Sequence, residues 1–181
     1  TMVTDEKGDK MSKVKGNTID PVEVAQKHGA DPLRFALAWM TNQAAQGKNI
    51  KFSLSNVEDA RRFANKIWNA TRFVLMNLPD YNADQFGDRT AEGPDSVEFD
   101  LPERWILSRV QRTSEEINRA LEDFKIAEAA QGLYHFIWND ICDWYIELAK
   151  ARLQDPSKAA ERWKIQGTLV TALDAAMRLL H

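Results

Sequence analysis

A side-chain oxygen followed closely by proline or an acid recurs along this chain, and that pattern constrains its fold more than any other feature. Asp20-Pro21-Val22-Glu23 sets out a capping carboxylate, a proline at the first helical position and an acid in the first turn. Together these meet the unpaired amides of a helix start and the positive end of its dipole. Gly29 closes that short helix, and Asp31-Pro32 opens the next, which runs to about Gly47; a first-turn proline sacrifices no hydrogen bond. An extended piece, Asn49-Ile50-Lys51-Phe52-Ser53, leads to the capping box Ser55-Asn56-Val57-Glu58 and a long helix to about Leu78-Pro79. Asp100-Leu101-Pro102-Glu103 opens another helix, with Trp105, Ile106, Val110, Ile117 and Leu121 on one stripe. From about Lys125, Ala130, Leu133, Ile137, Ile141, Trp144 and Leu148 recur at spacings of three and four, and Ser157 is expected to cap the last helix. Long helices joined by mostly short loops predict an all-α antiparallel helical bundle, preceded by a short hairpin, a loop and small helices.

The first residues read differently. Met2-Val3-Thr4 followed by Asp5-Glu6-Lys7-Gly8 has the form of one strand and the turn of a hairpin. At the other end helical periodicity still runs through Met177-Arg178-Leu179-Leu180-His181 without a glycine stop. Both ends therefore read as cuts, and a segment of a longer protein is expected. A hydrophobic content of 44% with six tryptophans suits a folded core. No apolar run approaches the roughly 20 residues of a membrane span, and no signal peptide opens the chain, so a cytoplasmic location without a membrane partner is expected. The lone Cys142, among Trp138, Ile141 and Tyr145, reads as core filler rather than nucleophile. His28, His135 and His181 are too scattered to suggest a metal site, and none is expected.

The formal net charge of −3 hides a strong polarity along the chain. Residues 48–72 carry Lys48, Lys51, Arg61, Arg62, Lys66 and Arg72 against Glu58 and Asp59, a net +4. Residues 80–100 carry Asp80, Asp84, Asp88, Glu92, Asp95, Glu98 and Asp100 against Arg89, a net −6, and read as a solvated acidic linker.

In Lys10-Met11-Ser12-Lys13-Val14-Lys15-Gly16-Asn17, two ammonium groups stand three residues apart on a short segment that Gly16 allows to turn sharply. Such a segment can curl over a polyanion; on composition alone, a solvated basic loop is the alternative. With little apolar surface to anchor it, the loop is expected to be mobile without a bound polyphosphate. The octet resembles the Lys-Met-Ser-Lys-Ser signature of class I aminoacyl-tRNA synthetases, with Val14 in place of the final serine. Asn17-Thr18-Ile19-Asp20-Pro21, Gly29-Ala30-Asp31-Pro32-Leu33-Arg34-Phe35, Arg62-Phe63-Ala64-Asn65-Lys66-Ile67-Trp68-Asn69-Ala70-Thr71-Arg72-Phe73 and Cys142-Asp143-Trp144-Tyr145-Ile146-Glu147-Leu148 extend the likeness over essentially the whole chain. They resemble the valyl-tRNA synthetase family in order and spacing. The isoleucyl and leucyl families share the loop and the bundle but not these strings, and Pro32 stands where the valyl family usually has alanine.

The resemblance implies a division of labour. Residues 1–47 would be the end of a catalytic domain with its connecting helices, and residues 48–181 an anticodon-binding domain. Lys10 and Lys13 would be the catalytic lysines that grip the pyrophosphate of ATP, with Met11 and Ser12 completing the ATP-binding set. Lys15 is either a solvated flank or a further contact, and Asp20 is a helix cap rather than a catalytic acid. On the long helix Lys66, Asn69, Arg72 and Phe73 share a face. Read without the family, Phe73 belongs to a core with Val74 and Trp68 and the cations are surface charges; with it, Lys66, Arg72 and Phe73 face RNA, joined by Lys51. Asp143, Trp144 and Tyr145 are expected to pack within the bundle. The implied full-length enzyme is valine–tRNA ligase, which uses ATP with Mg2+ and valine and has valine tRNA as its partner. No His-x-x-His or His-x-Gly-His signature occurs, so ATP and valine would be held through a missing catalytic half. The segment alone would hold no cofactor and would be inactive, and a monomer is expected. The alternative is a stand-alone helical tRNA-binding or protein-interaction module descended from such an enzyme.

Overall fold

The structure, a computed structural model, describes residues 2–90 and 97–181. Its elements in order are β1 (Val3–Thr4), α1 (Pro21–His28), α2 (Ala30–Ala45), β2 (Ile50–Lys51), α3 (Leu54–Met76), α4 (Ala83–Thr90), α5 (Leu101–Glu122) and α6 (Ile126–His135). A π-helical run (Phe136–Tyr145), α7 (Ile146–Leu153), a 3-10 turn (Pro156–Glu161) and α8 (Arg162–Leu180) follow. The all-α expectation holds, with one small parallel strand pair, Val3 opposite Ile50 and Thr4 opposite Lys51. The chain forms two compact units: one holds the described residues up to Lys66 with Glu116–Gly132, the other Ile67–Glu115 with Leu133–His181.

In the first unit the helix starts largely follow the sequence. Asp20 accepts a hydrogen bond from the Val22 amide at 2.8 Å, and Gly29 closes α1 with φ 98°. Two caps move by two residues each. Because α2 already begins at Ala30, Asp31 lies inside its first turn rather than at the cap. Likewise α3 begins at Leu54, and the capping oxygen is Ser53 Oγ, which accepts from the Ser55 amide at 3.2 Å. Ser53 is the last extended residue after β2, so its side chain faces the free amides, whereas Ser55 is already helical. Val24, Leu33, Ala36, Met40, Phe52, Val57 and Ala60 form the core of this unit, with Met11 and Ile19 packed against it. The ring of Phe35 lies 5.0 Å from that of Phe63.

In the second unit the acidic stretch is not a plain solvated linker. It contains α4, whose Phe86 ring lies 6.0 Å from Trp163 and 6.4 Å from both Tyr81 and Phe99. Asp80 accepts from Gln166 Nε2 at 2.7 Å, and that bond chiefly holds its carboxyl below the usual range. Asp84 and Glu98 are exposed; the Asp88 side chain, Glu92 and Asp95 lie outside what the structure describes. The Pro156–Glu161 turn is capped by Asp155, which accepts from the Ser157 amide at 2.9 Å and from its hydroxyl at 2.7 Å, so Ser157 is a donor here and not a cap.

The largest departure from the sequence pattern is the π-helical run. Ala130, Leu133, Ile137 and Ile141 are buried as the periodicity requires, but Trp144 is 62% exposed and Leu148 42%. Each π turn takes one residue more than an α turn, so the buried line passes instead to Tyr145, Ile146 and Ala149, each at most 5% exposed. Tyr145 therefore packs as expected, whereas Trp144 and Asp143 face solvent. Cys142 is buried, as a core filler should be. On α5 the buried line is Glu103, Ile106, Thr113 and Ile117, while Leu121 is 44% exposed. Glu103 is thus no solvated first-turn acid. Its Oε1 accepts from Arg152 Nη1 at 2.5 Å and from the Tyr145 hydroxyl at 3.1 Å, and Arg152 Nη2 reaches Asp100 at 2.5 Å. Burial first, then the Glu103 carboxylate, push the Tyr145 hydroxyl far above its usual pKa, which keeps it a donor.

Candidate functional site

The lysine loop grows from a turn locked by one carboxylate. Asp5 Oδ1 accepts from the amides of Asp9 at 2.8 Å and Lys7 at 3.1 Å, while the Gly8 amide closes onto the Asp5 carbonyl at 2.9 Å. An antiparallel bridge between Thr4 and Lys10 completes a minimal hairpin. Asp5 Oδ2 accepts from Asn17 Nδ2 at 2.9 Å; the other end of that amide, Oδ1, accepts from the Ser12 amide at 2.9 Å, and Nδ2 also reaches the Lys10 carbonyl at 3.3 Å. Asn17 therefore ties both ends of the octet to the hairpin. Met11 adds an apolar anchor on the core of the first unit.

The loop is consequently tied at its base and exposed at its tip, with Met11 supplying more apolar anchorage than the sequence led one to expect. Lys13, Val14, Lys15 and Gly16 are exposed, Val14 at 99%. Ser12 Oγ accepts from the Lys15 amide at 3.1 Å, and Gly16, with φ 67°, turns the chain back. Lys10 and Lys13 both present their side chains to solvent on this tied frame. Two cations on a loop whose base is already tied suit an anion whose charge grows during a reaction, because only the short tip then has to settle onto it.

The Asn17 hydrogen bond, followed by that of the Asp9 amide, holds the Asp5 carboxyl below the usual carboxylate range. The clamp should therefore be complete above the ordinary carboxylate pKa of about 3.9, and be lost as pH falls through the lower folded value. Asn17→Ala should abolish the hydrogen-exchange protection of the Ser12 amide at neutral pH while leaving that of α1 intact. Equal Ser12 protection in both proteins would show that the clamp does not hold the loop.

Of the residues expected to face RNA, Lys66, Arg72 and Phe73 lie on α3 and Lys51 on β2. Lys51 is exposed on β2 and, with Lys66, belongs to the first unit; Arg72 and Phe73 belong to the second. Lys66 is half-buried within α3, and Arg72 is exposed. Phe73 is half-buried, and Lys150 Nζ stands 5.6 Å from its ring centroid while bonding Glu147 at 2.6 Å. One face of Phe73 thus carries a cation, an arrangement that adds modestly to stability at exposed sites. Of the core partners the sequence offered for Phe73, Val74 is buried but Trp68 is 70% exposed. Trp68 precedes Arg72 by one helical turn, and Leu75 and Met76, 63% and 70% exposed, continue that strip. Sequence reasoning missed Trp68 and Lys150. The i, i+4 spacing of tryptophan and arginine was a usable signal for the first, whereas nothing local pairs Lys150 with Phe73.

Among the described residues no group of three or more His, Cys, Asp or Glu side chains is placed to hold a metal ion, and no helix is long and apolar enough to cross a membrane.

Two family models match the chain: "tRNA synthetases class I (I, L, M and V)" over residues 1–53 and "Anticodon-binding domain of tRNA ligase" over residues 103–181. A valine–tRNA ligase of Thermotoga maritima is 48% identical over 180 residues, covering 99% of this chain and 19% of the relative. Those of Fervidobacterium nodosum and Bacillus cereus are 45% and 43% identical with the same coverage. The chain therefore spans about a fifth of the length of the curated relatives it matches. In fold it resembles a chain of the ternary complex of Agrobacterium radiobacter K84 agnB2 LeuRS, tRNA and LeuAMS, with TM-score 0.67 and 23% identity over 99% of this chain and 20% of that one.

Proposed function

From a chain that belongs to the class I aminoacyl-tRNA synthetase family and matches valine–tRNA ligases from end to end, we propose that it is the pyrophosphate-loop and anticodon-binding segment of a valine–tRNA ligase. The parent enzyme activates valine with ATP and esterifies it to valine tRNA in the cytoplasm. In this reading residues 1–47 close the catalytic domain and residues 48–181 bind the anticodon end of the tRNA, a division supported by matches to two different family models at the two ends of the chain.

The observation that carries the proposal is the tied lysine loop: Lys10 and Lys13 exposed on a frame fixed by Met11, Asn17 and Asp5. When the valine carboxylate attacks the α-phosphate of ATP, the bond to pyrophosphate breaks and negative charge moves onto the leaving group. Lys10 and Lys13 stabilise that charge, Met11 seats the loop, and Ser12 orients its tip through the Lys15 amide. The adenosine and the amino acid are held by the rest of the enzyme.

For RNA, Lys66 and Arg72 contact phosphates and Phe73 supports a base, with Lys51 as an outlying phosphate contact. Titration of the chain with valine tRNA and a noncognate tRNA tests this. Weak binding that favours valine tRNA and falls as salt rises is expected. Phe73→Ala should cost about 1 to 3 kcal/mol of binding, with the salt slope unchanged. Should Phe73→Ala instead lower thermal stability strongly while the folded protein binds tRNA normally, Phe73 is a packing residue and its RNA role is lost.

A further inference from the structure

In the first unit lies an open cleft of about 530 Å³ lined by Gln43, Gln46, Lys48, Asn49 and Lys51, together with Thr4 and Gly8 of the hairpin. None of its lining residues is acidic. The orientation of its three amides is fixed by their partners. Gln43 Oε1 accepts from the Lys51 amide at 2.9 Å, Asn49 Oδ1 from the Met2 amide at 3.3 Å, and Gln46 Oε1 from Lys48 Nζ at 3.2 Å. Each oxygen is thus engaged by a donor, which leaves the three NH2 groups as the hydrogen-bonding ends still on offer.

Three of the carbonyls near the end of α2, which would repel an anion, each already accept a backbone hydrogen bond. Asn42, Ala44 and Gln43 carbonyls accept from the amides of Gln46, Gly47 and Lys48 at 3.3, 2.9 and 3.0 Å. Gly8 makes room for Lys51: at φ +91° it lacks the Cβ that would stand 3.3 Å from Lys51 Cε, so the lysine stem can lie close against the turn. The cleft therefore combines two ammonium groups and three amide donors with no carboxylate.

We propose that this cleft is a phosphate-binding site that takes a backbone phosphodiester of the tRNA. The inference rests on the tRNA-binding reading and extends it from single cations to a built site at the root of the lysine loop. A phosphodiester has only acceptor oxygens and one negative charge, the complement of this donor set. Nucleic acid is favoured over a free nucleotide because the donors surround a phosphate only, with no aromatic ring among them for a base.

The test uses substitutions that keep every fold-locking bond. Gln43→Glu and Asn49→Asp retain the oxygen that accepts from the backbone and convert the outward donor to a charged acceptor. Measured on the whole chain with valine tRNA, each should weaken binding roughly tenfold and make the salt dependence shallower, as loss of a phosphate contact requires. Matching thermal midpoints establish that the variants are folded. If the unmodified chain binds tRNA and both variants bind equally well, the cleft is not a tRNA site and the inference fails alone. Failure of the unmodified chain to bind any tRNA removes the broader reading and this one with it. A parallel titration with inorganic tripolyphosphate, read by the side-chain amide resonances of Gln43 and Asn49, separates the sources. Binding there, with tRNA affinity unaffected by the variants, would assign the cleft to a free polyphosphate and overturn the proposal.

Discussion

Arg152→Ala should destabilise the folded chain by about 3 to 5 kcal/mol, the cost of breaking a buried ion pair by removing one partner. Glu103 is fully buried, its Oε1 is shared between Arg152 and Tyr145, and its Oε2 has no partner among the described residues. Without the guanidinium the carboxylate keeps only the Tyr145 hydroxyl and must either take up a proton or draw water into the unit. Asp100, 44% exposed at its side chain, loses the same partner but can be solvated and contributes little. The double replacement Arg152→Met with Glu103→Leu should recover much of the loss, since well-packed apolar groups of similar volume often serve as well as a buried pair. Urea unfolding of the three proteins checks this; a double variant no more stable than Arg152→Ala would show that the packing, not the stranded charge, governs.

In the full-length ligase proposed to carry this segment, Lys13→Ala should lower the rate of valine-dependent ATP–pyrophosphate exchange by roughly 100-fold, the scale of one preorganised charge in a water-excluded site. Lys10→Ala should act similarly. Because the lysines meet charge that develops during the reaction, the KM for valine should change little. Val14→Ser is the control: a side chain 99% exposed has no packing to lose, and both rate and stability should stay at their original values. A parallel rise in KM without a fall in rate would place the lysines in ground-state binding instead.

What the sequence made legible was whatever is decided within a few residues. The Asp20-Pro21 start and the Gly29 stop of α1 are local capping chemistry and stand as read. The lysine loop was found from its own residues and from family likeness, but the fixing of its base was not. Asp5 and Asn17 are twelve residues apart and carry no periodicity, so only the fold brings their side chains together at 2.9 Å. In the acidic stretch charge density outweighed one aromatic: Phe86 docks among Tyr81, Phe99 and Trp163, contacts whose partner Trp163 is far along the chain. Glu103 looked like a first-turn acid because its partners, Tyr145 and Arg152, lie 42 and 49 residues away. For Trp144 helical periodicity and aromatic character both pointed inward; large apolar side chains are common on surfaces, and tertiary geometry alone decides which ones.

The wide turns of Phe136–Tyr145 bear on every residue after them. Lys150 over Phe73 and Arg152 on Glu103 both lie just past that run, which consumes its residues at a different rate from the α-helices beside it. It acts as a vernier between two scales: the number of residues between Leu133 and Arg152 is fixed not by the distance spanned but by the angular phase at which the second half must arrive. A relative that differed here by a single residue would therefore have to change its partners downstream together, not one at a time.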